Sequence, residues 1–224
     1  MPLKQGVCDL MQDLFMDFNS DQYPAGTLKT ITDNYGNYTA IPINNYSCHP
    51  GRGFYGFANT QSGITVSPFF DQLLTRKITQ IHLHPGIWGI AVIETVKELH
   101  PYEMICSSNS QNSEFVFSNP IGFHMQEVGW RKIGKYVLAF QSRLTVDNLL
   151  YQPFELYDNS GLVVSTSGSK PNIPYYYVPS KLNYPNRIIW GANSASANAV
   201  FSGYIRRCGF YPYSMVQTFC KRYL

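Results

Sequence analysis

The side chains of this 224-residue chain with the most chemistry to offer are phenols. There are 17 tyrosines, with Tyr175, Tyr176, Tyr177 and Tyr184 crowded into one Pro-rich stretch. A phenol is neutral and donates a hydrogen bond below its ordinary pKa of about 10, and becomes an anion above it. An anion in an apolar seam is costly, and more so where two phenols meet. Contacts made through tyrosines therefore hold at neutral pH and loosen in strong alkali. The 175–184 cluster is the expected place for such alkali-sensitive contacts.

Other reactive types are poorly arranged. His82 and His84 share one face of an expected strand, but an open pair fits no closed ligand set, so packed histidines are the simpler reading. The five cysteines, Cys8, Cys48, Cys106, Cys208 and Cys220, show no redox or zinc spacing and read as reduced, buried thiols. Arg52-Gly53-Phe54-Tyr55-Gly56-Phe57 resembles the aromatic strand of an RNA-recognition fold, but no second aromatic strand accompanies it. A Gly-rich loop packed by its own aromatics is the expectation there. No phosphate-binding loop, dinucleotide fingerprint or nucleophile elbow is present. No enzyme and no required cofactor is expected.

Composition points to assembly. Charged residues are 14% of the chain, against about 25% in an average domain. A surface poor in charge and rich in Tyr suits interfaces. The net charge is +3, too small to indicate nucleic acid. Asp9, Asp13, Asp17 and Asp21 face a single Lys4 in the opening stretch, so the excess of base lies wholly beyond it. No apolar run approaches the ~18 residues of a membrane span, and no signal peptide opens the sequence. An intracellular, membrane-free location is expected.

The elements that position these groups begin with a helix. Val7, Leu10, Met11, Leu14, Phe15 and Phe18 form one apolar stripe, and Asp9, Asp13 and Asp17 repeat on another face. Residues 1–23 read as an acidic helical arm that docks on bases of another molecule, and 24–224 as one domain. Hairpins are expected around Asp33-Asn34-Tyr35-Gly36-Asn37 and Asp158-Asn159-Ser160-Gly161. Ile87 to Val96 is apolar enough for a central strand. A short helix capped by Thr145 is expected over Val146 to Leu150, and a closing helix from Pro212 to Leu224, with Val216, Phe219, Cys220 and Tyr223 on one face. Many short strands and few helices give an antiparallel β-sandwich with flanking helices.

Three segments carry a family likeness. Phe18-Asn19-Ser20-Asp21-Gln22-Tyr23, His100-Pro101-Tyr102-Glu103 and Phe219-Cys220-Lys221-Arg222-Tyr223 resemble, in the same order, segments of the cypovirus polyhedrins. The family forms differ by Glu for Asp in the first, Trp for Tyr in the second and Asn for Lys in the third. Together they cover under a fifth of the chain. The resemblance implies a β-sandwich body with an exposed N-terminal helix. It implies homotrimers packed into crystals in the cytoplasm of infected insect cells, virus particles embedded in those crystals, and release in the alkaline midgut. It also implies nucleotides at crystal contacts, at residues the motifs do not specify. The rival readings are a β-sandwich capsid or fibre protein forming a closed shell, and an RNA-binding module using Arg52 to Phe57.

Overall fold

The computed structural model describes residues 15–43, 46–56, 63–66, 87–98, 104–109, 123–124, 131–140, 143–144, 149–151, 153–166, 169–174, 187–191 and 201–224. These are mainly β, in antiparallel sheets, with a helix at the C-terminal end.

The first sheet has nine strands. Eight run in the order β15 (Gly161–Thr166), β14 (Phe154–Asp158), β11 (Lys135–Phe140), β8 (Ile87–Thr95), β18 (Gly203–Pro212), β6 (Gly53–Gly56), β5 (Ser47–His49) and β2 (Gly26–Thr27). The ninth, β1 (Met16–Asn19), pairs with β18 beyond the end of β6. The second sheet runs β10 (Phe123–His124), β9 (Met104–Asn109), β17 (Arg187–Trp190), β7 (Gly63–Val66), β4 (Thr39–Ile43) and β3 (Ile31–Thr32). A third comprises β12 (Arg143–Leu144), β13 (Leu149–Tyr151) and β16 (Ser169–Pro174).

The two large sheets face each other, as in a sandwich. Phe18, Phe54, Ile93, Leu138, Phe140, Leu156 and Phe210 of the first pack with Ile31, Ala40, Ile64, Val66 and Trp190 of the second. Trp190 crosses the gap, its ring centroid 6.1 Å from Phe140 and 5.6 Å from Phe210. Alternation sends every second residue of β8, β11 and β18 to the opposite face. There Ile90, Val92, Val137, Ala139 and Tyr211 take the helix α1 (Met215–Tyr223), which buries Val216, Phe219 and Tyr223. The first sheet is thus covered on one face by its partner sheet and on part of the other by α1. Each large side chain so buried stabilises by roughly 1.5–3 kcal/mol.

Several sequence expectations are met. Ile87–Thr95 is central, between β11 and β18. Both expected hairpins form, β3–β4 and β14–β15. The closing helix has the expected inward face and carries Lys221 and Arg222 in its last turn, where cations suit the helix dipole.

Others are corrected. The helix expected over 7–18 does not extend through its last residues, since Met16–Asn19 is a strand with all four residues buried. Met16 and Phe18 turn to the core, and the intervening Asp17 turns to the far face. This two-residue period outweighs the helical stripe because β18 supplies both backbone partners and an arginine. The boundary set at 23 therefore falls inside the body. The helix expected over 146–150 is also corrected at its end, because Leu149 and Leu150 belong to β13. The closing helix, expected from Pro212, begins at Met215, because the last strand runs to Pro212.

β18 is the spine of the sheet, and two glycines make that possible. A Cβ on Gly209 would lie 1.9 Å from the Met16 carbonyl oxygen. A Cβ on Gly53, at φ +140°, would lie 2.7 Å from the Ile205 backbone. The bare edge of β18 thus admits β1 along one part of its length and β6 along another. Gly209→Ala is expected to expel β1 and to destabilise the protein by about 3 kcal/mol or more, well beyond an ordinary substitution. Equilibrium denaturation with the intrinsic fluorescence of the three tryptophans as readout measures it.

Candidate functional site

Where β1 crosses β18, Asp17 lies opposite Gly209. Glycine leaves that place on the sheet face empty, and the carboxylate occupies it. Arg207 and Tyr211, two residues to either side of Gly209, necessarily share its face and close on the carboxylate from both directions. Arg207 donates from Nε to Oδ1 at 2.7 Å and from Nη2 to Oδ2, a two-pronged ion pair. The Tyr211 hydroxyl donates to Oδ1 at 2.7 Å. Asn34, from the β3–β4 turn, donates its side-chain amide to Oδ2 at 2.7 Å and its backbone N–H to the Asp17 carbonyl at 2.8 Å.

Asp17 is 2% exposed, so each of these donors replaces lost water. Burial works against the Arg207 charge, but hydrogen bonds to Asp17 and Tyr223 and the charge of Asp17 hold its pKa above the usual range. Arg207 also stands over the Phe219 ring at 4.8 Å and reaches the Tyr223 hydroxyl at 3.4 Å. One ion pair therefore joins β1, β18, the β3–β4 turn and α1.

The turn itself is built by a second buried acid. Asp33 accepts from the backbone N–H of Tyr35 at 2.8 Å and of Tyr38. Burial pushes its carboxyl pKa up, opposed by those N–H groups, and the nearby charge of Asp17 adds to the rise. Asn37 donates to the Phe15 carbonyl at 3.2 Å. The free side of β1 is thereby held by the turn rather than left open.

At the register slip in β18, Arg206 is the extra residue between Ile205 and Arg207. Two arginines adjacent in sequence both find acids of the opening segment, Arg207 with Asp17 and Arg206 with Asp21 at 3.2 Å. The second pair is partly exposed and contributes under about 1 kcal/mol. Asp17 thus meets a base of its own chain, where the sequence expectation had given it to another molecule.

A second polar cluster lies on the outer face where α1 does not reach. Arg52 pairs with Glu94, donates to the Tyr204 hydroxyl at 3.0 Å and stacks over the Tyr204 ring at 3.9 Å. Tyr55 and His49 flank that ring, at 4.7 and 5.3 Å between centroids. The expected Gly-rich loop is instead a hairpin of β5 and β6. Phe54 lies fully in the core, where it cannot stack on a base.

Seven of the tyrosines share one bias. Burial is the largest cause in each case and raises the pKa of Tyr23, Tyr35, Tyr46, Tyr136, Tyr157, Tyr211 and Tyr213. Tyr157 and Tyr213 both donate to the Glu155 carboxylate, at 2.8 Å in the shorter bonds, and its charge adds to their rise. Tyr211 has the same relation to Asp17. An unfolded phenol ionises near pH 10 while the folded one resists. The stability these groups contribute is full below about pH 10 and falls as pH climbs from there through the raised folded values.

Of the residues singled out from sequence, Phe18 is buried in the core and Phe15 packs against it. Val7, Asp9, Leu10, Met11, Asp13, Leu14, His82, His84, Tyr175, Tyr176, Tyr177 and Tyr184 lie outside the described residues. Cys48, Cys106 and Cys208 are free and buried, and Cys220 is free and half-buried. Sequence reasoning missed Arg207, Tyr211 and Asn34. The signal available was the strand-like alternation Met16-Asp17-Phe18-Asn19. No helix among the described residues is long and apolar enough to cross a membrane. No family model, curated protein or solved structure matches the chain.

Asp17→Ala is expected to cost about 3–5 kcal/mol, because it strands Arg207 without its partner in a largely buried site. Urea denaturation of the variant and of Arg207→Met, singly and together, checks that the two losses are not additive. Tyr46→Phe should do the reverse. Among the described residues the Tyr46 hydroxyl is buried without a hydrogen-bond partner, so its removal leaves stability at pH 7 unchanged or higher by about 1 kcal/mol. Above about pH 10 the variant should outlast the parent. Denaturation midpoints at the two pH values give the comparison.

Proposed function

We propose that this chain is a structural protein of the cypovirus-polyhedrin kind. Copies assemble, through trimers, into crystals in the cytoplasm of an infected insect cell, enclose virus particles, and dissolve in the alkaline midgut. The observation that carries the reading is the set of phenols held neutral by burial and by carboxylates, above all Tyr211 on Asp17 and the pair Tyr157 and Tyr213 on Glu155. Such a body is firm at neutral pH and loses stability in alkali. The charge-poor composition and the three segment likenesses point the same way.

In this reading the docking arm is residues 1–14, with Leu10 and Leu14 as apolar anchors and Asp9 and Asp13 as the charges offered to a neighbour's bases. Phe15, Asp17 and Phe18 belong to the body. Tyr175, Tyr176, Tyr177 and Tyr184 are proposed to lie in contacts between copies, and nucleotides to sit at such contacts. The rivals, a closed shell and an RNA-binding module, gain less: the first accounts for no alkali response, and the second loses Phe54 to the core.

Removal of residues 1–14 tests the proposal without disturbing β1. The shortened protein is expected to keep its β-sheet circular dichroism but to form no crystals in expressing cells. Crystals of the shortened protein, seen by electron microscopy, would contradict the assigned arm. A full-length protein that stays dispersed in those cells would contradict the function.

A further inference from the structure

Among the described residues the nine-stranded sheet ends at β15. Gly161-Leu162-Val163-Val164-Ser165-Thr166 contains no charge and no proline, two of the devices that keep an edge from pairing, and its one irregularity is the register slip at Val163. Leu162 is 55% and Val163 36% exposed. The register slips at Val163, which has no opposite number on β14, so its side chain is presented at the rim. The exposed apolar surface continues inward across the outer face. Leu162 lies opposite Tyr157, Tyr157 and Tyr213 meet on Glu155, and Tyr213, 41% exposed, packs against Trp88 at 4.9 Å. Three of the exposed large apolar residues of the described body thus gather at one end of one sheet, and a patch of this kind marks a contact surface.

The other described edges are unsuited to receive a strand. β2, β3, β10 and β12 are two residues long. The free side of β1 is taken by Asn34 and Asn37. β16 is six residues long but carries Lys170, Pro171 and Pro174. Head-to-tail strand addition needs two different open edges, whereas a two-fold contact needs one edge used twice.

We propose that β15 is the contact between two copies of this chain, paired antiparallel with itself about a two-fold axis. The two first sheets then run on as one, and the ledge of Leu162, Val163 and Tyr213 closes against its own symmetry mate. No like charges are brought together along the strand, because it has none. The inference does not rest on the lattice reading, and it holds equally for a protein that goes no further than a dimer.

The test uses the full-length protein. Sedimentation over a range of concentrations is expected to give a dimer, or larger species built from dimers. Hydrogen exchange of the amides of 161–166 is expected to slow by roughly tenfold or more from dilute to concentrated solution, since edge amides open to water become paired. Crystalline material is measured as a slurry in place of the concentrated solution. Val163→Lys, at an exposed position, should abolish both effects, and Thr27→Lys on the short edge β2 should abolish neither. A monomer at every concentration overturns the proposal. So does an assembly in which the 161–166 amides exchange as fast as in dilute solution, a result that needs no variant to fold. Dimers without crystals would sustain this contact while removing the proposed function.

Discussion

A carboxylate that folding takes out of water must be given donors in place of the water it loses, or the fold does not form. Asp17 receives its donors only if β1 lies in one register on β18, with Gly209 beneath it and Arg207 and Tyr211 on either side. A slip of one residue would turn Asp17 into the sandwich core and Met16 and Phe18 away from it. The same Arg207 reaches Tyr223 and Phe219 in the C-terminal helix, and the same Asp17 receives Asn34 from the second sheet's hairpin. The first described strand, the last strand, the last helix and the facing sheet are fixed against one another through one ion pair. Apolar burial supplies most of the stability, and the ion pair supplies the register.

Much of the body was legible in sequence because local chemistry and tertiary demand agree there. Ile87 to Thr95 is too apolar to be anything but central. Asp158-Asn159-Ser160-Gly161 forms its turn from its own side chains, Asp158 accepting from the Ser160 backbone. Val216, Phe219 and Tyr223 keep helical spacing over a flat sheet. The opening segment shows the opposite case. Its apolar residues fit a helical stripe through Phe18, and only a partner far away in sequence, Arg207, decides for the strand. Likewise Arg52 to Phe57 has the composition of an aromatic loop, but the close approach of Gly53 to Ile205 draws Gly53–Gly56 into the sheet and buries Phe54. Attraction between the acidic opening and the basic remainder was legible as charge. Its realisation within one chain, as Asp17 with Arg207 and Asp21 with Arg206, was not, because composition does not say which molecule supplies the base.

The outward faces divide the labour. Helix α1 seals the middle of the first sheet, leaving the Arg52–Glu94–Tyr204 cluster beyond one end and the Leu162–Tyr213 ledge beyond the other. Tyrosines recur in both. On the ledge the Tyr157 and Tyr213 hydroxyls donate to the Glu155 carboxylate, a role they can fill only while protonated. The stability that the buried phenols contribute is full below about pH 10 and is lost toward alkali, whereas the lowered carboxyl pKa of Asp158 contributes stability that is lost toward acid.

The central claim, that Asp17 and Arg207 lock both ends of the described chain into one cooperative unit, is tested most directly by native-state hydrogen exchange. The amides of Met16–Asn19 and of the helix Met215–Tyr223 should open with the same free energy in the unsubstituted protein, and in Asp17→Asn they should lose protection together. If β1 exchanges freely while the helix keeps its protection, with or without the substitution, the ion pair is not what holds the two ends, and the account fails.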